Sequence, residues 1–135
     1  MYQSTLTFET NPRELKNITN SISKEIKNHV PERGLCHLFI QHTSASLLIA
    51  ENSDPKVKRD LESYLSRLVK DGDPLFTHTD EGVDDMSAHI RTILTETSLI
   101  IPINNYSLAL GTWQGIFLWE HRMGAHERKV VLSIL

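Results

Sequence analysis

Between residues 76 and 91 the chain reads FTHTDEGVDDMSAHIR, where His78 and His89 bracket Asp80, Glu81, Asp84 and Asp85. Imidazoles and carboxylates are ligands for Zn²⁺ and related divalent ions, and a catalytic site commonly uses three protein ligands and one open position. The separation of the two histidines matches no standard zinc motif, so spacing alone does not force them together. Asp85 precedes His89 by one helical turn, where its carboxylate can accept the other ring N–H and fix the tautomer. The same residues also suit a solvated loop and a helix start that attracts acids to its positive end. The sequence leaves both open.

A second cluster is QHTSAS, with His42, Thr43, Ser44 and Ser46 after an apolar strand-like run. Alternation along a strand allows His42 to pair with Ser44 but not with Thr43, and no G-x-S-x-G elbow is present. A histidine satisfied by backbone at a strand end, or hydroxyls that meet phosphate oxygens or water, fit equally well. The third cluster is GTWQGIFLWEHR. Its two glycines bracket Thr112, Trp113 and Gln114 at a turn, where glycine permits close backbone or ligand approach. Glu120 shares a face with Ile116, Leu118 and Arg122, so it is expected as a partly buried acid needing a metal, an arginine or a proton. His121 points the other way. Trp119 reads as core, and Trp113 as a pocket or subunit-contact residue.

The elements that must place these groups follow from periodicity. YQSTLTF alternates as a half-buried strand. Asn11, Pro12 and Glu14 look like a helix start with a capping box, and Leu15, Ile18, Ile22 and Ile26 recur at helical spacing. GLCHLFIQH and ASLLIAEN are strands, the first with Cys36, Leu38, Ile40 and His42 on one face. Asp54 and Pro55 open a second helix whose buried stripe is Val57, Leu61, Leu65 and Leu68. The loop 71–83 carries His78. DDMSAHIRTIL is a short third helix, capped by Asp84 or Asp85, with Met86, Ile90 and Leu94 inward. SLIIPI, SLALGT, QGIFLWEHR and RKVVLSIL are four more strand-like runs. NNYS makes a tight turn between the first two, and Pro102 marks a strand end or an edge. GIFLWE is apolar on both parities and so needs cover on both faces, with a neighbouring subunit as one source of it.

The chain has 135 residues, the size of one domain covering 1–135. A net charge of −3 with acids mixed into the basic stretch EHRMGAHERK argues against a nucleic-acid partner. No apolar run approaches the ~18 residues of a membrane span. Cys36 is the single cysteine and reads as a buried thiol. With no disulfide and no signal-like start, a cytoplasmic location is expected.

The strings HTSASLLIAENSDPKVKRDL, HTDEGVDDMSAHI and LGTWQGIFLWEHR, in this order, resemble the YjbQ-type family, whose members are described as secondary thiamine-phosphate synthases. The resemblance covers nearly the whole chain from the second strand onward; Ser87 and Ala88 stand where the family pattern has proline before the xHI element. It implies an α+β fold: a two-layered, mostly antiparallel β assembly with two to three flanking helices, built into a homotrimer. It also implies a divalent-metal pocket (zinc or magnesium) near a subunit boundary. Carried over by position, the residues are His42, Asn52, Asp54, His78, Asp84, Asp85, His89 and Glu120, with His121 less uniform. The expected site gives the metal to His42, His78 and His89, with Glu120 nearby as a fourth ligand or acid/base and Asp85 orienting His89. Ser44, Ser46, Asn52, Thr112, Gln114 and Arg122 would meet a small phosphorylated substrate. The implied reaction joins a pyrimidine-methyl pyrophosphate to a thiazole phosphate. A metal-dependent hydrolase of a phosphorylated metabolite, or a non-enzymatic metal- or metabolite-binding module, are the competing expectations.

Overall fold

The computed structural model describes residues 1–135. The strands are β1 (Tyr2–Thr10), β2 (Leu15–Asn17), β3 (Arg33–Ile40), β4 (Ala45–Glu51), β5 (Ser98–Asn104), β6 (Ser107–Leu108), β7 (Gln114–Glu120) and β8 (His126–Ile134). The helices are α1 (Thr19–Ile26), α2 (Pro55–Leu68) and α3 (Asp85–Ile93). Every strand pairing is antiparallel. One sheet runs β1-β8-β3-β5-β6 and the other β2-β7-β4. This is the expected α+β assembly of two β layers with three helices.

The main core lies between the sheets. Cys36, Leu38, Ile40, Val130, Leu132 and Ile134 face Leu47, Ile116 and Leu118, and α1 closes it with Ile22 and Ile26. The other face of the three-stranded sheet carries Phe117 and Trp119, packed with Leu15, Leu65 and Val69. The doubly apolar β7 therefore gets its second cover from the chain's own α2 end, not from another subunit.

The first helix starts later than expected. The local half of the capping box forms: the Asn11 N–H donates to Glu14 Oε1 at 3.0 Å. No helix follows, because Arg13 takes a left-handed conformation at φ 53°. Its N–H donates to the Arg122 carbonyl at 3.0 Å, and its guanidinium reaches the His121 carbonyl at 2.8 Å and Asp71 at 2.7 Å. These tertiary bonds outweigh local helix preference. Leu15 then pairs opposite Trp119 in β2 and joins the outer cluster, while Ile18, Ile22 and Ile26 join the main core. One apparent stripe thus serves two cores.

In α2 the start is as expected: Asp54 Oδ1 accepts from the Lys56 N–H at 2.9 Å, and Pro55 is the first helical residue. The stripe is corrected at its end. Leu68 is 62% exposed and Val69 6% exposed, because the helix stops at Leu68 and the extended Val69 turns its side chain inward. In α3 the expected inward set is corrected too. The buried residues are Asp85, Ser87, Ala88, Arg91 and Thr92, whereas Leu94 is exposed and Met86 and Ile90 are half-buried. Arg91 pairs with Glu62 of α2 and Ser87 donates to Asp71; polar pairing, not apolar burial, sets the helix's rotation.

Pro102 lies inside β5 opposite Leu35, not at a strand end. Leu35 exchanges both backbone bonds with Leu135 on its other side, so the missing proline N–H removes no rung between β3 and β5. The turn at 104–107 has positive φ at Asn105 and Tyr106, the pattern of a two-residue hairpin turn of type I′.

Because Phe117 is fully enclosed, Phe117→Ala is expected to cost about 3–5 kcal/mol. Leu68→Ala should stay within about 0.5 kcal/mol. Urea denaturation of the two variants checks both values.

Candidate functional site

The loop before α3 and the first turns of α3 bring His78, Asp85 and His89 together, with one ligand atom from each within 4.8 Å of the others. His78 Nε2 lies 2.7 Å from Asp85 Oδ2, and His89 Nε2 lies 3.1 Å from the same oxygen. Asp85 is 2% exposed, while the His78 and His89 side chains are 44% and 31% exposed. The carboxylate is thus rooted in the protein and the imidazoles rim it on the solvent side.

Two bonds set the electrostatics. His89 Nδ1 lies 2.9 Å from the Thr43 carbonyl, which can only accept. His89 Nδ1 therefore carries the proton, and in a neutral ring Nε2 presents its lone pair to Asp85. The second bond holds the carboxylate itself: Arg122 Nη1 donates to Asp85 Oδ1 at 2.8 Å. Burial works to raise the Asp85 pKa, but the His78 hydrogen bond and the His89 and Arg122 charges outweigh it and hold the group below the ordinary carboxylate range. The contact between Nε2 and the ionised Oδ2 is met either by a second ring proton or by a cation held between them. The donor set itself fits a divalent cation: two imidazoles and one carboxylate converge, a recognised zinc ligand combination.

Asp84, expected as a possible helix cap, makes no cap bond. Its Oδ2 accepts from Arg122 Nε at 3.0 Å and from the Met123 N–H at 2.8 Å. Arg122, expected to meet substrate, is instead spent on Asp84, Asp85 and the Glu81 carbonyl at 2.9 Å.

His42 stands outside the cluster. Its Nε2 accepts from the Lys129 N–H at 2.7 Å, and Nδ1 lies 3.5 Å from Arg128 Nη1. The expected trio of His42, His78 and His89 is therefore not what one chain assembles: Asp85 takes the third place directly, and His42 is held by β8. Glu120 is also corrected. It is fully buried and paired with Arg128, whose Nε donates to Oε1 at 2.8 Å, while Thr10 donates to Oε1 at 2.6 Å and the Arg122 N–H to Oε2 at 3.0 Å. Of metal, arginine or proton, its partner is arginine, which leaves no oxygen free for an ion.

The serines are engaged as well. Ser44 Oγ accepts from Arg128 Nη2 at 3.0 Å. Ser46 is fully buried, with Oγ 2.8 Å from His121 Nε2, so it has no access to a substrate. Burial, with Arg91, Arg13 and Arg128 nearby, pushes His121 down to about 2. Asn52, Thr112 and Gln114 sit elsewhere. Gln114 Oε1 accepts from the Gly111 N–H at 2.8 Å, and Asn52 Nδ2 donates to the Gln114 carbonyl at 3.4 Å. The β4–β7 ladder runs from Ala45 opposite Glu120 to Glu51 opposite Gln114, a span of about 20 Å at ~3.3 Å per residue. Asp54 is the α2 cap. Trp113 is exposed. Arg128 and the Thr43 carbonyl are the site residues that sequence reasoning missed; the need of Glu120 for a countercharge was the available signal for the first.

His121 gives a pH test with a definite sign. Its folded pKa is depressed, so its contribution is present above the unfolded value near 6.5 and is lost as pH falls. Stability should drop by about 1.4 kcal/mol per pH unit below pH 6.5 from this group, and His121→Gln should flatten that limb in urea titrations between pH 7 and 5.

A match to the family described as "UPF0047 protein YjbQ-like" spans residues 4–135. The chain is 45% identical to the UPF0047 protein sll1880 of Synechocystis sp., over 98% of this chain and 90% of that protein. It is 41% identical to the UPF0047 protein YjbQ of Salmonella typhimurium, over 98% and 96%. Among solved structures, an uncharacterized YjbQ/UPF0047 protein of Clostridium acetobutylicum superposes with a TM-score of 0.86 at 33% identity, covering 100% of both chains. A hypothetical protein of Aeropyrum pernix K1 gives 0.91 at 28% identity, covering 100% of this chain and 98% of the other. With the family match and the fold in agreement along almost its whole length, this chain belongs to the YjbQ-like UPF0047 family.

Proposed function

We propose that this chain is a divalent-cation enzyme acting on a small phosphorylated metabolite, with thiamine-phosphate synthesis among its activities. The observation that carries the cation is the convergence of His78, Asp85 and His89, whose ligand atoms lie within 4.8 Å of one another while the Thr43 carbonyl holds His89 Nδ1 and turns Nε2 inward. The residues that would hold the ion are His78, Asp85 and His89. Zinc suits two imidazoles better than magnesium, which favours oxygen ligands. When bound, the ion would supply Lewis-acid polarisation and charge neutralisation for phosphate oxygens.

The chain's own residues prepare that site. Arg122 holds Asp85 through Oδ1, so Oδ2 stays turned to the histidines. Thr43 fixes the plane of the His89 ring. Beside His78 lies a cavity of about 210 Å³ bordered by Phe76, Thr79, Gly82, Val83 and Met86, room for a fragment of a substrate rather than all of it.

A homotrimer belongs to this reading. Its support is the exposure of Leu35, Phe39 and Ile100 on one face of the larger sheet and the remoteness of Asn52, Thr112 and Gln114 from the histidines. Those three join the site only when another copy brings them. A metal-dependent hydrolase is the second reading, and the solvent exposure of both histidines favours it, since a condensing enzyme must keep water from its reactive intermediate.

Elemental analysis of the purified protein should find about one zinc per chain. His78→Ala and His89→Ala should lower that occupancy sharply, and His42→Ala should leave it intact. Full occupancy in both His78 and His89 variants would remove the metal assignment. Metal-dependent condensation of the pyrimidine-methyl pyrophosphate with the thiazole phosphate supports the synthase; release of phosphate from simple monoesters supports the hydrolase. Tight metal binding with neither activity leaves a binding module. Mass in solution checks the trimer.

A further inference from the structure

We infer that His42 and Arg128 form an oxyanion subsite that takes a phosphate group beside the histidine cluster. The inference deepens the reading above and rests on it only for the phosphate being part of the substrate.

The argument begins with a mismatch of donors. The Lys129 backbone N–H donates to His42 Nε2 at 2.7 Å, so Nε2 holds a lone pair and the proton of the neutral ring is on Nδ1. Opposite Nδ1, at 3.5 Å, is Arg128 Nη1, which also has only protons to offer. Two donors face each other with no acceptor between them. An anionic oxygen about 2.8 Å from each would satisfy both at once.

No protein acceptor serves this place. Glu120 is the acid paired with Arg128, and its oxygens are taken up by Thr10, by the Arg122 N–H and by Arg128 Nε and Nη2. Ser44 accepts through Nη2. Nη1 alone is left over. Arg128 is 4% exposed, so this is a fixed, largely desolvated guanidinium and not a mobile surface charge. His42 is only half-buried, so a ligand reaches the pair from the solvent side. Burial, then Arg128, lower the His42 pKa, with Glu120 acting in the opposite sense. The Lys129 N–H bonded at Nε2 is what leaves the Nδ1–H as the ring's donor.

The position suits a substrate spanning two sites. Thr43, whose carbonyl holds His89, is the next residue after His42, and adjacent Cα atoms are about 3.8 Å apart. Glu120 and Arg122 form a second link, from Arg128 through to Asp85. The His42–Arg128 pair and the histidine cluster are therefore joined by one residue step at Thr43 and by the Glu120–Arg122 link. A fixed arginine with a neutral imidazole donor is matched to a phosphate monoester oxygen.

The test is a titration of the full-length ¹⁵N-labelled protein with inorganic phosphate, read at the histidine ring nitrogens and by ³¹P line width. Millimolar phosphate should shift the His42 Nδ1 signal in a saturable way, and His42→Leu should weaken phosphate binding by about tenfold or more. Arg128→Lys, confirmed folded by circular dichroism, should do the same, since lysine keeps the charge and loses the fork. Saturable phosphate binding that leaves His42 unmoved would overturn the inference. So would an equal response to chloride at matched ionic strength, which marks screening. Binding abolished by His78→Ala but kept in His42→Leu would place phosphate on the ion and overturn the subsite while leaving the proposed function standing. Phosphate bound at His42 in a protein that holds no metal would uphold the subsite and overturn that function.

Discussion

The polar end of the molecule depends on Arg122 being held in place. Its backbone N–H is tied to the buried Glu120, its guanidinium clamps Asp84 and Asp85, and its carbonyl receives Arg13. These partners come from three stretches of the chain: the end of β7, the start of α3 and the segment between β1 and β2. Without the clamp, the buried Asp85 would lose its only arginine and one of the groups that hold its carboxyl ionised against burial. Its Oδ1 would also be left without its guanidinium donor.

Behind this clamp is a wider rule of construction. Four arginines, Arg13, Arg91, Arg122 and Arg128, are each matched with an acid: Asp71, Glu62, Asp84 with Asp85, and Glu120. Pairs of this kind contribute little net stability when buried, but breaking one strands a charge and costs about 3–5 kcal/mol. Their effect is on geometry. They fix the rotation of α3 and the end of β7 more sharply than interchangeable apolar contacts would. Apolar packing supplies the bulk of the folding energy elsewhere, from the core between the sheets and the smaller cluster under α2.

Much of the fold was legible because period-2 and period-3.6 patterns report burial on one face. β1, β3, β4, β7 and α2 lie where alternation and capping place them. The misreadings share a cause. Leu15 sits at helical spacing from Ile18 yet enters a different core, and Leu94 continues a helical stripe yet faces solvent. A hydrophobic residue shows that burial is available, not which surface provides it. Arg13, with its left-handed backbone and three tertiary bonds, is invisible to any local rule.

By itself the sequence determined the α+β class and the strand and helix chemistry, and it named His78, Asp85 and His89 as candidates, with Asp85 set to orient His89 but with nothing to force His78 toward them. The i,i+4 spacing on a helix fixes His89 against Asp85 through local geometry alone. Only the tertiary structure decided that His42 belongs with Arg128, that Glu120 is neutralised by arginine, and that Ser46 is sealed beside His121. Those choices join β3, β4, β7 and β8 across long stretches of chain. They arise from which buried charge finds which partner, and that pairing is settled only when the strands stand side by side.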